Sequence, residues 1–200
     1  GSNLAKVNLK SALLKNANLE NSNLINSNLE NANLAGASLS NSKLQGSNLI
    51  SVNLNNSTIR FANLSQTKLM GAEFLFSNAS DTNFSYSNLS SSDFSNAILQ
   101  NSNFKNAILD NVNFSKADMR RINLFGASIK DGILVDANLS SAFMKAVNLS
   151  GADLTGANLS KAKLSTANFE GANLTNANLN KANLTRNIIR VNLKGANLTG

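Results

Sequence analysis

The sequence predicts a solenoid, a chain that turns a corner every five residues and winds around its own apolar side chains. Three observations predict it. A large apolar residue falls at every fifth position from Leu4 to Ile189, and these 38 positions hold 26 Leu, six Phe, three Ile, two Met and one Ala. The residue two before each centre is nearly always small, with Val7, Val52, Val112, Ile122 and Val147 the bulky exceptions. The residue just before the centre is usually Asn, and the remaining two are mixed and polar.

A period of five fits neither ordinary element. A helix repeats its apolar residues at i, i+3, i+4 and i+7, and a half-buried strand alternates them. Steps of five rotate around a helix by about 500°, which would smear the leucines over every face. A chain that turns a corner after each centre keeps all of them inside. Four such sides return it above its start, so that inward side chains stack in columns. The second inward position must then be small, because two side chains per side compete for a narrow lumen. Asn suits a corner, since its side chain bonds nearby backbone groups and tolerates turn conformations.

The stretch "GADLTGANLSKAKLSTANFEGANLTNANLNKANLT" (151–185) carries the pattern at its cleanest. The chain resembles the pentapeptide-repeat family, whose unit is a small residue, Asn or Asp, Leu or Phe, and two free positions. The match covers essentially the whole sequence. The resemblance implies an all-β fold, a right-handed four-sided parallel β-helix with twenty residues per coil. Residues 1–200 would form a single such domain of about ten coils of four pentapeptides. Stacking at the inter-strand distance of roughly 4.8 Å makes a rod near 50 Å long, in which each coil touches only its neighbours.

Two irregularities interrupt the beat. In "GAEFLFSNASDTNFSYSNLS" (71–90) the centre at 79 is an alanine. Twenty-residue bookkeeping puts Phe74, Phe94 and Phe114 in one column and Phe84 and Phe104 in the opposite one, so these rings are expected to fill the volume that Ala79 leaves. Near residues 186–191 the register slips: after Leu184 the next clean centres are Leu193 and Leu198, one residue short, with Asn187 to Arg190 replacing a five-residue side. Gly1 and Ser2 read as an expression remnant. Uncapped ends would expose sheet edges and apolar lumen, which suggests a piece of a longer chain or end-to-end self-association.

Composition narrows the chemistry. Without cysteine there is no disulfide framework or thiolate metal site. Without histidine the commonest general base and transition-metal ligand is missing. The eleven acidic residues are scattered along the rod, and a filled rod offers no cleft across which two carboxylates could face each other. Gly151, Gly156, Gly171 and Gly195 occupy exposed slots and read as corners, not as a phosphate-binding loop. The expectation is a non-enzymatic protein with no cofactor, no metal and no small-molecule substrate.

Binding remains, and two surfaces are candidates. Residues 1–100 carry six basic and five acidic side chains, and residues 101–200 twelve and six. In the second half Arg121, Lys161 and Lys181 fall in one outward column with Arg120 beside it, a candidate anion-binding stripe. Leu75, Phe76 and Tyr86 stand outward in the irregular stretch, with Phe61, Met70 and Phe125 in neighbouring coils. The best-known theme of the resembled family is topoisomerase protection by acidic rods that mimic DNA. A sequence pI near 9.9 opposes that theme here. Other relatives are interaction domains in bacterial signalling, cyanobacterial development and secreted effectors. The expected function is a scaffold or interaction module with a protein partner. A DNA gyrase-binding protein and a binder of nucleic acid or anionic membrane are the alternatives, and a cytoplasmic location is the default.

Overall fold

The structure is a computed structural model and describes residues 1–186 and 192–199. The residue before each centre pairs in parallel with the residue twenty further on, from Asn3 with Asn23 to Lys163 with Asn183. Four pairing columns therefore stand around the axis, and each coil has four sides. The first face carries the column of Asn3 and Asn23, the second that of Asn8 and Asn28, the third that of Leu13 and Asn33, and the fourth that of Asn18 and Ser38.

Each side ends in the same corner. The amide two residues before the next centre donates to the carbonyl of the preceding centre, as Ser27 does to Leu24 at 3.1 Å. The residue just before that amide has positive φ, for example 57° at Asn26 and 59° at Asn41. A bonded four-residue turn with positive φ at its third residue is a type II turn. Asn and Gly are the residues that take this conformation at least cost, which is why they crowd this slot. The coil below packs closely against Gly151. Its φ is +69°, and the carboxylate of Asp131, one coil below, already fills the place where its Cβ would lie.

Where Asn stands before the centre, as in the repeat around Leu24, each amide finds a partner, and the accounting explains that Asn. In the repeat around Leu24, Asn23 donates to Ser2 in the coil below at 2.9 Å, while Leu24 and Asn26 donate to Lys43 and Gln45 above at 2.7 and 3.0 Å. Ser27 closes the turn. The amide of Ile25 is left over, and the side-chain oxygen of Asn23 accepts it at 3.2 Å. This Asn thus sits in mid-side and not at the corner, as its turn chemistry had suggested. Its amide nitrogen reaches the next layer as well: Asn83, Asn103 and Asn123 each donate to the Asn one coil below at 3.1–3.2 Å. A side chain with one acceptor and two donors is required to serve both bonds.

Inside, the centres and the small residues two before them are buried through most of the rod. Most of the small polar ones bond to the chain they abut, as Ser27 Oγ does to the Leu24 carbonyl at 2.7 Å, which offsets the cost of burying a hydroxyl in the lumen; Ser77 Oγ is buried without a partner. The rings stack as expected. Phe74 and Phe94 are parallel with centroids 4.2 Å apart, Phe84 and Phe104 lie at 4.6 Å, and the two columns meet edge to face, as Phe74 and Phe84 do at 5.8 Å. Ala79 is fully buried between the layers of Phe74 and Phe84.

Beyond the slip the pairing offset falls from twenty to nineteen: Asn173 pairs with Asn192 and Asn178 with Asn197. One residue has been lost from the turn of the rod, as the spacing requires. The side expected at Asn187 to Arg190, with the centre at Ile189, lies outside the described residues. Leu4, Leu9 and Leu14 in the first coil and Leu184 and Leu193 in the last are only partly buried, since among the described residues no coil lies on their outer side.

Candidate interaction surface

With the lumen occupied by side chains, functional chemistry must be sought on the four faces and their corners. Among the described residues no group of His, Cys, Asp or Glu could hold a metal ion, and no helix is long and apolar enough to cross a membrane. An open depression of about 430 Å³ lies on the third face, between Gly71, Glu73, Leu75 and Asp93.

Three of the outward aromatics fall at corners. Phe61, Phe76 and Tyr86 have φ of 59°, 56° and 60°, and 53%, 58% and 55% of their surfaces remain exposed. Left-handed backbone costs a residue with a Cβ roughly 1–2 kcal/mol, and a bulky side chain there is an outlier. The three stand on three consecutive corner columns, so they ring the rod and do not form one patch. Arg60 lies over the ring of Phe61 at 4.8 Å. Leu75 adjoins Phe76, half-buried at the rim of the depression, its amide donating to Asn55 Oδ1 at 2.8 Å.

The basic candidates separate. Arg120 belongs to the fourth face and is engaged: its Nε and Nη2 donate to the two oxygens of Asp118 at 2.8 and 2.7 Å. Burial alone would raise the Asp118 carboxyl, but hydrogen bonds from Arg120 and from Gln100 outweigh it and hold the group below the ordinary carboxylate range. Arg121, Lys161 and Lys181 share one corner column at φ of 57–59°, exposed to solvent. Arg121 donates down the column to Asn101 Oδ1 at 2.8 Å.

That corner bounds the first face, where the structure gathers residues that spacing arguments passed over. Lys105, Lys145 and Lys163 stand on the face and Arg186 at its far corner. Between residues 101 and 186 this face and its corners carry no carboxylate, whereas the third face carries Asp131, Asp136 and Asp153 against Lys116. In the middle of the cations lie Phe125 and Phe143, with ring planes 11° apart and centroids at 5.9 Å. Lys105 Nζ is 5.8 Å from the first ring and Lys163 Nζ 6.0 Å from the second. Phe143 occupies an Asn slot beside the buried centre Met144, where it reads as spare apolar sequence. Only its pairing with Lys163 and Asn123 brings it beside Phe125.

The profile of the family described as "Pentapeptide repeats" matches in eight copies, over 2–41, 12–49, 32–69, 47–85, 87–126, 133–171, 152–186 and 167–200. The chain belongs to the pentapeptide-repeat family, and its four-sided β-helix is right-handed. Among solved structures it is similar to HetL, a pentapeptide repeat protein involved in heterocyst differentiation regulation in the cyanobacterium Nostoc. The two are 29% identical over 98% of this chain and 88% of HetL, with a TM-score of 0.53. It is also similar to a pentapeptide repeat protein of the Arabidopsis thaliana thylakoid lumen, at 32% identity over 47% of this chain and 66% of that one, TM-score 0.46. QnrB1, a plasmid-mediated fluoroquinolone resistance protein, aligns at 21% identity over 98% and 89%, TM-score 0.47. No curated protein matches the chain.

Proposed function

We propose that the chain is a non-catalytic interaction module that docks a protein partner through side chains carried on its corners. One observation carries the reading: Phe61, Phe76 and Tyr86 occupy left-handed corners where Asn or Gly would be cheaper, and hold their rings in solvent. Neither lumen packing nor turn chemistry accounts for an aromatic there. Strain of this kind persists where function requires it, and exposed aromatics are the usual anchors of protein interfaces. The adjoining Leu75 and the depression beside it extend the contact at Phe76.

Replacing Phe76 by Asn separates the two roles. The variant should be as stable as the parent or more stable, by about 0.5–1 kcal/mol, since Asn is favoured at positive φ. It should also weaken capture of a bound partner by tenfold or more, as loss of an aromatic anchor does. Undiminished capture would remove Phe76 from the interface. A gyrase supercoiling assay with and without a quinolone addresses the topoisomerase-binding alternative, for which the basic first face is the wrong sign for DNA mimicry.

A further inference from the structure

We infer that the first face between Lys105 and Arg186 is a binding site for single-stranded nucleic acid. The inference stands apart from the protein-docking corners around Phe76 and uses different residues. Its first support is charge. Seven cations and no carboxylate share this face and its two corners from residue 101 to 186, and among the described residues none of the seven is in an ion pair. Four steps between coils at roughly 4.8 Å place them along about 19 Å of a straight rod. Unneutralised cations in such a row raise the local potential and draw polyanions.

The second support is the pair of rings. Lysines alone would bind any polyanion, duplex or lipid, through its phosphates. Phe125 and Phe143 add what a base recognises, a flat π surface within reach of cations, and sequence-tolerant single-strand binding combines these two elements. Each ring has an ammonium near it, Lys105 at 5.8 Å and Lys163 at 6.0 Å. These distances are at the outer limit of a cation–π contact. A phosphate that draws either lysine outward leaves a ring free for a base, so the two contacts are made together.

A membrane is the poorer fit. Phe125 is half-buried and Phe143 only 37% exposed, so neither projects beyond the lysines as an inserting side chain must. A duplex hides the base faces that the rings would meet. The acidic third face of a second copy offers charge complementarity but no flat aromatic or base surface.

The test is fluorescence anisotropy with a labelled oligothymidylate of about fifteen nucleotides, within the site sizes of such proteins. A duplex of the same length and phosphatidylserine vesicles are the other arms. The single strand should bind at low salt, lose affinity steeply as salt rises and bind more tightly than the duplex. Phe125→Ser with Phe143→Ser should cost roughly tenfold or more and leave the salt slope unchanged. Lys145→Glu with Lys163→Glu should lower both affinity and slope. Phe76→Ser, on another side of the rod, should change nothing, and unchanged thermal melts establish that each variant is folded. The proposal is overturned by absence of binding at low salt, by equal binding of duplex that ignores the ring substitutions, or by vesicle binding without single-strand binding.

Discussion

Ala79 is the one centre from Leu4 to Leu184 that is not a large residue, and Ala79→Leu tests whether the lumen is full there. Phe74 precedes it by one side and Phe84 follows it by one, and their rings touch edge to face at 5.8 Å across the space into which a leucine would point. Relative to four leucines, the two phenylalanines add about six carbon atoms and the alanine gives up about three, so the layer is already overfilled by a volume-conserving standard. Adding those three back forces rings or backbone to move, at a cost of about 1–3 kcal/mol. For a chain of this length that lowers the melting temperature by roughly 2–12 °C. Thermal unfolding followed by circular dichroism reads the shift, and a urea titration gives the free energy directly. A void beside Ala79 would give the opposite sign, since filling a cavity recovers part of the cost of a Leu→Ala truncation, on the order of 2–5 kcal/mol. A raised melting temperature would therefore refute the packing argument.

The remaining substitutions follow the same register. Leu154→Lys should abolish folding or soluble expression, because an unpaired ammonium in the closed lumen finds no solvent, whereas Thr155→Lys, one residue on and outward, should stay within about 0.5 kcal/mol of the parent. Gly151→Ala should destabilise by more than about 1 kcal/mol in urea, since its φ of +69° and the Asp131 carboxylate both oppose a Cβ. Removing that carboxylate in an Asp131→Ala background should return part of the loss.

Inside and outside were legible in the sequence because the lumen imposes one rule on every side: a large residue, and a small one two before it. The stacked phenylalanines followed once the resemblance to the family supplied the twenty-residue coil, since such steps place Phe74 over Phe94. The Asn before each centre was misplaced, at the corner and not in mid-side, because its task is to satisfy an amide that the pairing leaves over. That accounting needs the hydrogen bonds, not the spacing. The surface was harder, because outward slots accept almost any residue and the sequence carries no rule for them. Arg120 looked like a companion of Arg121, yet two residues of extended chain bring it back to Asp118 on the same face. The rings of Phe125 and Phe143 meet only through the pairing of coils. The strain at Phe61, Phe76 and Tyr86 could be read only from backbone angles.

Every functional reading here rests on which side chains the five-residue register turns outward, and a cysteine-labelling scan tests that most directly. The chain has no native cysteine, so single cysteines can be placed one at a time from 152 to 160 and reacted with a soluble maleimide in the folded state. The register predicts protection at 152, 154, 157 and 159 and reaction at 153, 155, 156, 158 and 160, with two adjacent reactive positions at the corner. Strict alternation running through 155, 156 and 157 would mean an uncornered strand. That result, or ready labelling at 154 and 159, would contradict the account.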